Sequence, residues 1–251
     1  MILLDFNERE IPLKYQLSIL MLISVMSFLI GCSESVPTEK QKKEAAKDIS
    51  AIDLPEKTIE ALFKVEKGFS VLGLKDFEEF QAKSKKPVED PTWSEKAGII
   101  TCTGNPRGYL YSKKNHGNFS LRLEYRFPES SEKNENPNTG ILIYITGENK
   151  IWPRCLEVQG KFEEMAQIKS NTKEVTLEVT DNQQARETAR RPIGEWNSIE
   201  VISKDGELTS ILNGTRIASC KPSELTEGFF GIQSEGDAVE FRNIRVQKLT
   251  D

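Results

Sequence analysis

Residues Ser120 to Phe127 alternate in polarity without a fault: Leu121, Leu123, Tyr125 and Phe127 are apolar, while Arg122, Glu124 and Arg126 between them are charged. Successive side chains on a strand point to opposite faces, so this run is stable when one face meets a core and the other meets water. A helix would scatter the same residues around its circumference. The pattern recurs from Phe69 onward in short segments separated by Gly, Pro, Asn and Asp. In residues 140–146, Ile141, Ile143 and Ile145 share one face and Leu142 and Tyr144 the other; in 155–159, Leu156 and Val158 alternate with Cys155, Glu157 and Gln159. Further strands are expected at 174–180, 196–203, 207–212, 228–233 and 238–248, with Lys204-Asp205-Gly206 and Asn213-Gly214 as hairpin turns. No long helical period appears after residue 70. Many short strands in about 180 residues predict an all-β, two-sheet sandwich of jelly-roll type.

Ahead of the strands, residues 17–30 are apolar apart from three serines and stop at Gly31-Cys32. The run has the length of a signal-peptide hydrophobic region and falls short of the roughly 20 residues a spanning helix needs. Leu29-Ile30-Gly31-Cys32 resembles the bacterial lipobox, which implies lipidation at Cys32 and a membrane-anchored lipoprotein on the periplasmic or cell-surface side. The segment before it carries Asp5, Glu8 and Glu10 against Arg9 and Lys14, where a positive charge is usual. Residues 33–48 contain almost nothing to bury and read as a flexible tether. A short helix is expected after it, with Pro55 in its first turn and Ile59, Leu62 and Phe63 as its stripe. The expected organisation is a signal peptide at 1–31, a tether with a short helix at 32–66, and a β-sandwich domain at 67–251.

Composition narrows the chemistry. A formal net charge of -5, with charges of both signs interspersed, leaves no basic surface to neutralise phosphates, and nucleic acid is excluded as a partner. His116 is the only histidine, so every scheme that needs two imidazoles, including His-rich zinc hydrolysis, is excluded. With Cys32 lipidated, Cys102, Cys155 and Cys220 remain, either as one disulfide with a spare thiol or as three buried thiols.

Several segments together resemble the 3-keto-disaccharide hydrolase domain family. They are Gly68-Phe69-Ser70-Val71-Leu72, residues 118–127, Asn138-Thr139-Gly140-Ile141, residues 151–159 around Trp152 and Glu157, Gly194-Glu195-Trp196-Asn197, Leu212-Asn213-Gly214, Gly231-Ile232-Gln233 and residues 239–245. Their order and spacing cover residues 68–249. The resemblance implies a concanavalin A-like jelly roll whose concave sheet binds a carbohydrate, and a glycoside-cleaving hydrolase acting on 3-keto sugars. It also implies a sugar 3-oxidoreductase upstream to make the keto group. The alternatives are a non-catalytic carbohydrate-binding module and an adaptor domain of the same fold.

If Leu156 and Val158 face the core, Glu157 and Gln159 stand side by side on the open face, with Tyr144 expected beside them. A 3-keto sugar has an acidified C2–H, so a base and an enolate stabiliser suffice for cleavage. Glu157 is the candidate general base. Gln159, Tyr144, Trp152, Arg154, Asn138, Arg126 and Gln233 are candidate substrate contacts, and Gln159, Arg154 or a divalent ion would stabilise the oxyanion. No cofactor is evident, and no compact cluster of Asp, Glu and His ligands marks a metal. Trp196 is read either as core or as a ligand contact, and His116 as a turn residue.

Overall fold

The computed structural model describes residues 65–83, 91–129 and 134–250. The signal peptide, Cys32, the tether and the helix expected near Pro55 lie outside the described residues. In chain order the strands are β1 (Ser70–Val71), β2 (Phe77–Gln81), β3 (Trp93–Lys96), β4 (Ile99–Cys102), β5 (Gly108–Ser112), β6 (Phe119–Arg126), β7 (Gly140–Thr146) and β8 (Arg154–Gln159). They continue as β9 (Ile168–Ser170), β10 (Val179–Asp181), a helix α1 (Gln183–Ala189), β11 (Asn197–Lys204), β12 (Glu207–Leu212), β13 (Thr215–Cys220), β14 (Phe229–Ser234) and β15 (Val239–Lys248).

Among the described residues these strands form two antiparallel sheets. The larger runs β10-β13-β12-β11-β6-β15-β4-β3, with β1 added along β15, and the smaller runs β2-β5-β14-β7-β8-β9. β6 and β15 lie at the centre of the larger sheet, so Leu121, Leu123, Tyr125, Phe241 and Ile244 reach the middle of the core. Ile141, Ile143, Leu156, Val158, Phe230 and Ile232 meet them from the smaller sheet. Rings interlock across the gap, where Phe119 packs against Tyr144 and Phe230, and within the larger sheet Tyr125 packs against its cross-strand neighbour Phe241. The predicted two-sheet sandwich is therefore the observed one. Both hairpin turns also form, with Asp205-Gly206 and Asn213-Gly214 at positive φ, as a two-residue turn between twisted strands requires.

Three local expectations give way. The strand expected over 174–180 is confined to β10, because its partner β13 pairs only with Val179, Thr180 and Asp181. The stretch after it forms α1, too short to leave a helical period in the sequence. It is capped by the Asn182 side chain, which accepts from the Ala185 amide at 3.0 Å. The third is Tyr144, expected on the open face and found fully buried in the core. Tyr144 has φ 59, and the β7–β8 register shifts between Ile143 and Thr146, so the alternation slips by one position. Its hydroxyl shares a 2.5 Å hydrogen bond with Ser203 of the opposite sheet, while Ile145 takes the outward position.

Cys102, Cys155 and Cys220 are all buried free thiols, so the reading with no disulfide holds for these three.

Because β15 pairs with β6, β4 and β1, cutting the chain after Glu240 removes the strand that joins the two halves of the larger sheet. The loss should exceed a stability margin of about 5–15 kcal/mol. Circular dichroism of the truncated chain should show no cooperative thermal transition, and a folded fragment would contradict this topology.

Candidate functional site

The outer face of the smaller sheet differs from an ordinary solvated sheet face. Tyr109, Leu142, Ile145 and Cys155 form a second buried apolar cluster on it, flanked by Phe80, Tyr111 and Phe229. Asn149, from the β7–β8 loop, reaches over this cluster: Tyr109 donates its hydroxyl to Asn149 Oδ1 at 3.0 Å, and Asn149 Nδ2 donates to the Tyr111 hydroxyl at 3.4 Å. Trp152 of the same loop is 51% exposed and donates Nε1–H to Glu235 Oε1 at 3.4 Å. Glu235 follows the last residue of β14.

Polar groups gather beside that cluster, at the strand ends of β14, β7 and β8. Glu157 and Gln159 face outward as expected, but each is only 8% exposed, so neither is a solvated strand residue. Gln233 is buried on β14. Between them lies Gly140. A Cβ there would sit 2.1 Å from Gln233 Oε1 and 2.3 Å from Glu157 Oε1, so the two side chains converge over the glycine and occupy the space a side chain would need. Gln233 Oε1 and Asn138 Oδ1 are buried acceptors with no hydrogen-bond donor among the described residues. Asn138 is held by its backbone, whose amide donates to Asp237 Oδ2 at 2.9 Å. Gln159 Oε1 accepts from the Lys161 amide at 2.8 Å, leaving the amide nitrogen as the group it can offer.

Burial first, and then the neighbouring Glu235 carboxylate, push the Glu157 carboxyl up to about 7. Lys169 stands opposite Glu157 in the β8–β9 register and opposes the rise, but its ammonium is bound to Glu164, which adds to it. Glu235 is also raised by burial, against the Trp152 N–H and the Arg107 charge. Glu157 is thus poised to exchange a proton near neutral pH, as an acid or base requires.

Two other expected contacts lie elsewhere. Arg126 is on the outer face of the larger sheet, bound to Glu240 at 2.7 Å and stacked on Trp196, which also carries Arg242 at 4.1 Å. The sequence could not tell which of two open faces a β6 charge would join, and Trp196 is neither core nor part of the Glu157 site. Arg154 lies at the start of β8 and pairs with Glu224 at 3.3 Å and Glu174 at 3.9 Å, so its charge is engaged by carboxylates away from Glu157. His116, read as a turn residue, instead forms an isolated antiparallel bridge to Gly228 and packs on Phe119 and Phe230. Sequence reasoning missed Glu235, Tyr109 and Tyr111. Tyr109 and Tyr111 do alternate within β5 and could have been placed on one face, whereas Glu235 lies outside any alternating run. No three of the described His, Cys, Asp and Glu residues are arranged to hold a metal ion.

A two-sheet β-sandwich with buried acid and amide groups on one sheet face defines the class by fold, and comparison gives the family. The sequence model of the 3-keto-alpha-glucoside-1,2-lyase-like domain matches residues 73–247, and the chain belongs to that family. Among solved structures, a candidate glycosyl hydrolase from Parabacteroides distasonis ATCC 8503 is similar at 17% identity and TM-score 0.51, over 80% of this chain and 99% of that one. A second candidate glycosyl hydrolase from the same organism is similar at 20% identity and TM-score 0.48, over 63% and 90%. The carbohydrate-binding module CBM66 from Bacillus subtilis is similar at 10% identity and TM-score 0.44, over 63% and 92%. These likenesses are of fold. No curated protein matches the chain. Membership of this family supports a carbohydrate-acting or carbohydrate-binding role.

Glu157 gives a direct test of the site's electrostatics. Its folded pKa of about 7 lies above the usual carboxylate value, so the native state holds a proton that the unfolded chain releases. That contribution is complete below the unfolded value near 4.5 and is lost as pH rises through about 7. Glu157→Gln should therefore stabilise the protein at pH 8 by about 1–3 kcal/mol relative to its effect at pH 4. Chemical denaturation of both proteins at the two pH values measures the difference; equal effects would mean that Glu157 is solvated.

Proposed function

We propose that this protein cleaves 3-keto-glycosides on the outer face of its smaller sheet, with Glu157 as general base. The observation that carries the reading is a buried carboxylate, raised to about 7, converging with an unpartnered amide oxygen over Gly140. The C3 ketone acidifies C2–H. Ionised Glu157 takes that proton, the C–H electron pair forms C1=C2, and the bond from C1 to the glycosidic oxygen breaks. Addition of water across C1=C2 then gives the free 3-keto sugar. Gln233 Oε1 and Asn138 Oδ1 supply acceptors for sugar hydroxyls, the Gln159 amide supplies a donor, and Trp152 offers an exposed ring for a sugar's C–H face. The family description, a lyase acting between positions 1 and 2 of a 3-keto-glucoside, supports the elimination.

The keto substrate places an oxidation of the sugar at C3 before this step, by a sugar oxidoreductase. The lipobox at Leu29–Cys32 supports a lipid anchor and a place outside the cytoplasm, with residues 33–48 as tether.

Glu157→Gln should lower turnover of a 3-keto-glucoside by at least about 10²-fold while leaving KM within a few-fold. Steady-state kinetics decides it: unchanged turnover would remove Glu157 from the chemistry. For the anchor, Cys32→Ala should leave an unprocessed precursor that takes up no labelled fatty acid in cells. Lipid on that variant would refute the assignment.

A further inference from the structure

We infer that Glu235 is the acid of the reaction, protonating the departing glycosidic oxygen while Glu157 removes the C2 proton; this rests on the elimination proposed above. Glu235 lies just past β14, two residues beyond Gln233, whose buried and unpartnered Oε1 points to the place where Glu157 Oε1 also ends. A buried acceptor without a donor beside two carboxylates calls for a hydroxyl-bearing ligand there, since leaving it unfilled costs the full desolvation of the group. Glu235 does not hang free: the Trp152 N–H holds its Oε1 from the loop that crosses the sheet face, at the exposed rim of the site. Glu157 is the deeper of the two and Glu235 the shallower, matching a substrate whose ring lies over Gly140 and whose leaving group projects towards Trp152 and solvent.

The two carboxyls also share electrostatics. Burial raises both, and the charge on Glu235 raises Glu157. The other charges facing the pair are Lys169 and Glu164 beside Glu157, and Arg107 beside Glu235. The steps balance from the form in which Glu157 is ionised and Glu235 carries a proton. Glu157 carboxylate takes the C2 proton as Glu235 gives its proton to the leaving oxygen, releasing an alcohol. Glu235 carboxylate then takes a proton from the water that adds at C1, while Glu157 returns its proton to C2. Both groups are restored, and the net change is glycoside plus water to 3-keto sugar plus alcohol.

A general acid matters most when the leaving group is poor, which separates this role from a structural one. The test compares 4-nitrophenyl and methyl 3-keto-glucosides as substrates of the wild-type protein, Glu235→Gln and Trp152→Phe. Glu235→Gln should lose about 10²-fold or more in kcat/KM on the methyl glycoside and less than about tenfold on the nitrophenyl glycoside. Trp152→Phe, at an exposed ring whose replacement disturbs little packing, should show the same selectivity more weakly. Glu157→Gln should lose on both substrates alike. Equal losses on both substrates for Glu235→Gln and Trp152→Phe, or no loss on either, would overturn the role of Glu235 and leave Glu157 as base. A wild-type protein that turns over neither substrate would overturn the elimination itself.

Discussion

Taking a carboxylate out of water is the constraint on which this site turns. Glu157 sits on the outer face of a sheet, where solvent would ordinarily hold it ionised, yet Tyr109, Leu142, Ile145 and Cys155 make that face apolar and the β7–β8 loop reaches across it. The lysine opposite Glu157 is bound to Glu164, so the nearest positive charge does not neutralise it. What remains is a group whose charged form is disfavoured, and the proton affinity rises to the range where a base works at neutral pH. The same burial destabilises the ionised native state, a cost common where function needs an unfavourable group.

Sheet order does the positioning. β7 lies between β14 and β8, so the absent side chain at Gly140 opens a gap into which Gln233 and Glu157 lean from either side. The core beneath fixes those strands, since Ile141, Ile232 and Val158 are buried against the larger sheet. An alanine at Gly140 would meet both side chains within 2.3 Å, so only a residue without a side chain fits between the two polar ones.

Much of the fold was legible because strand alternation is a local property. β6 reads correctly from its own eight residues, and the Asp205-Gly206 and Asn213-Gly214 turns from two each. β7 reads correctly only as far as Ile143. Beyond it Tyr144 adopts φ 59, and the partner backbone at Gly228 comes so close that a Cβ there would lie 2.6 Å from the Tyr144 carbonyl carbon. That approach is a tertiary event with no trace in the alternation of β7. The site was legible where strands carry it, at Glu157, Gln159 and Gln233. It was not legible at Glu235, which lies beyond its strand and gains its setting from a tryptophan 83 positions away in sequence. Arg126 shows the converse: its outward direction was readable, but which sheet's face it joined depended on strand order.

Removal of the C2 proton by Glu157 is the central claim, and it makes that C–H bond, and not the glycosidic bond alone, part of the barrier. The most direct measurement is the kinetic isotope effect on kcat/KM for a methyl 3-keto-glucoside carrying deuterium at C2. The account predicts that the deuterated substrate reacts several-fold more slowly with the wild-type protein. Equal rates for the two isotopologues, together with a product that keeps its C2 deuterium in ordinary water, would contradict proton abstraction and point to direct departure of the leaving group through an oxocarbenium ion.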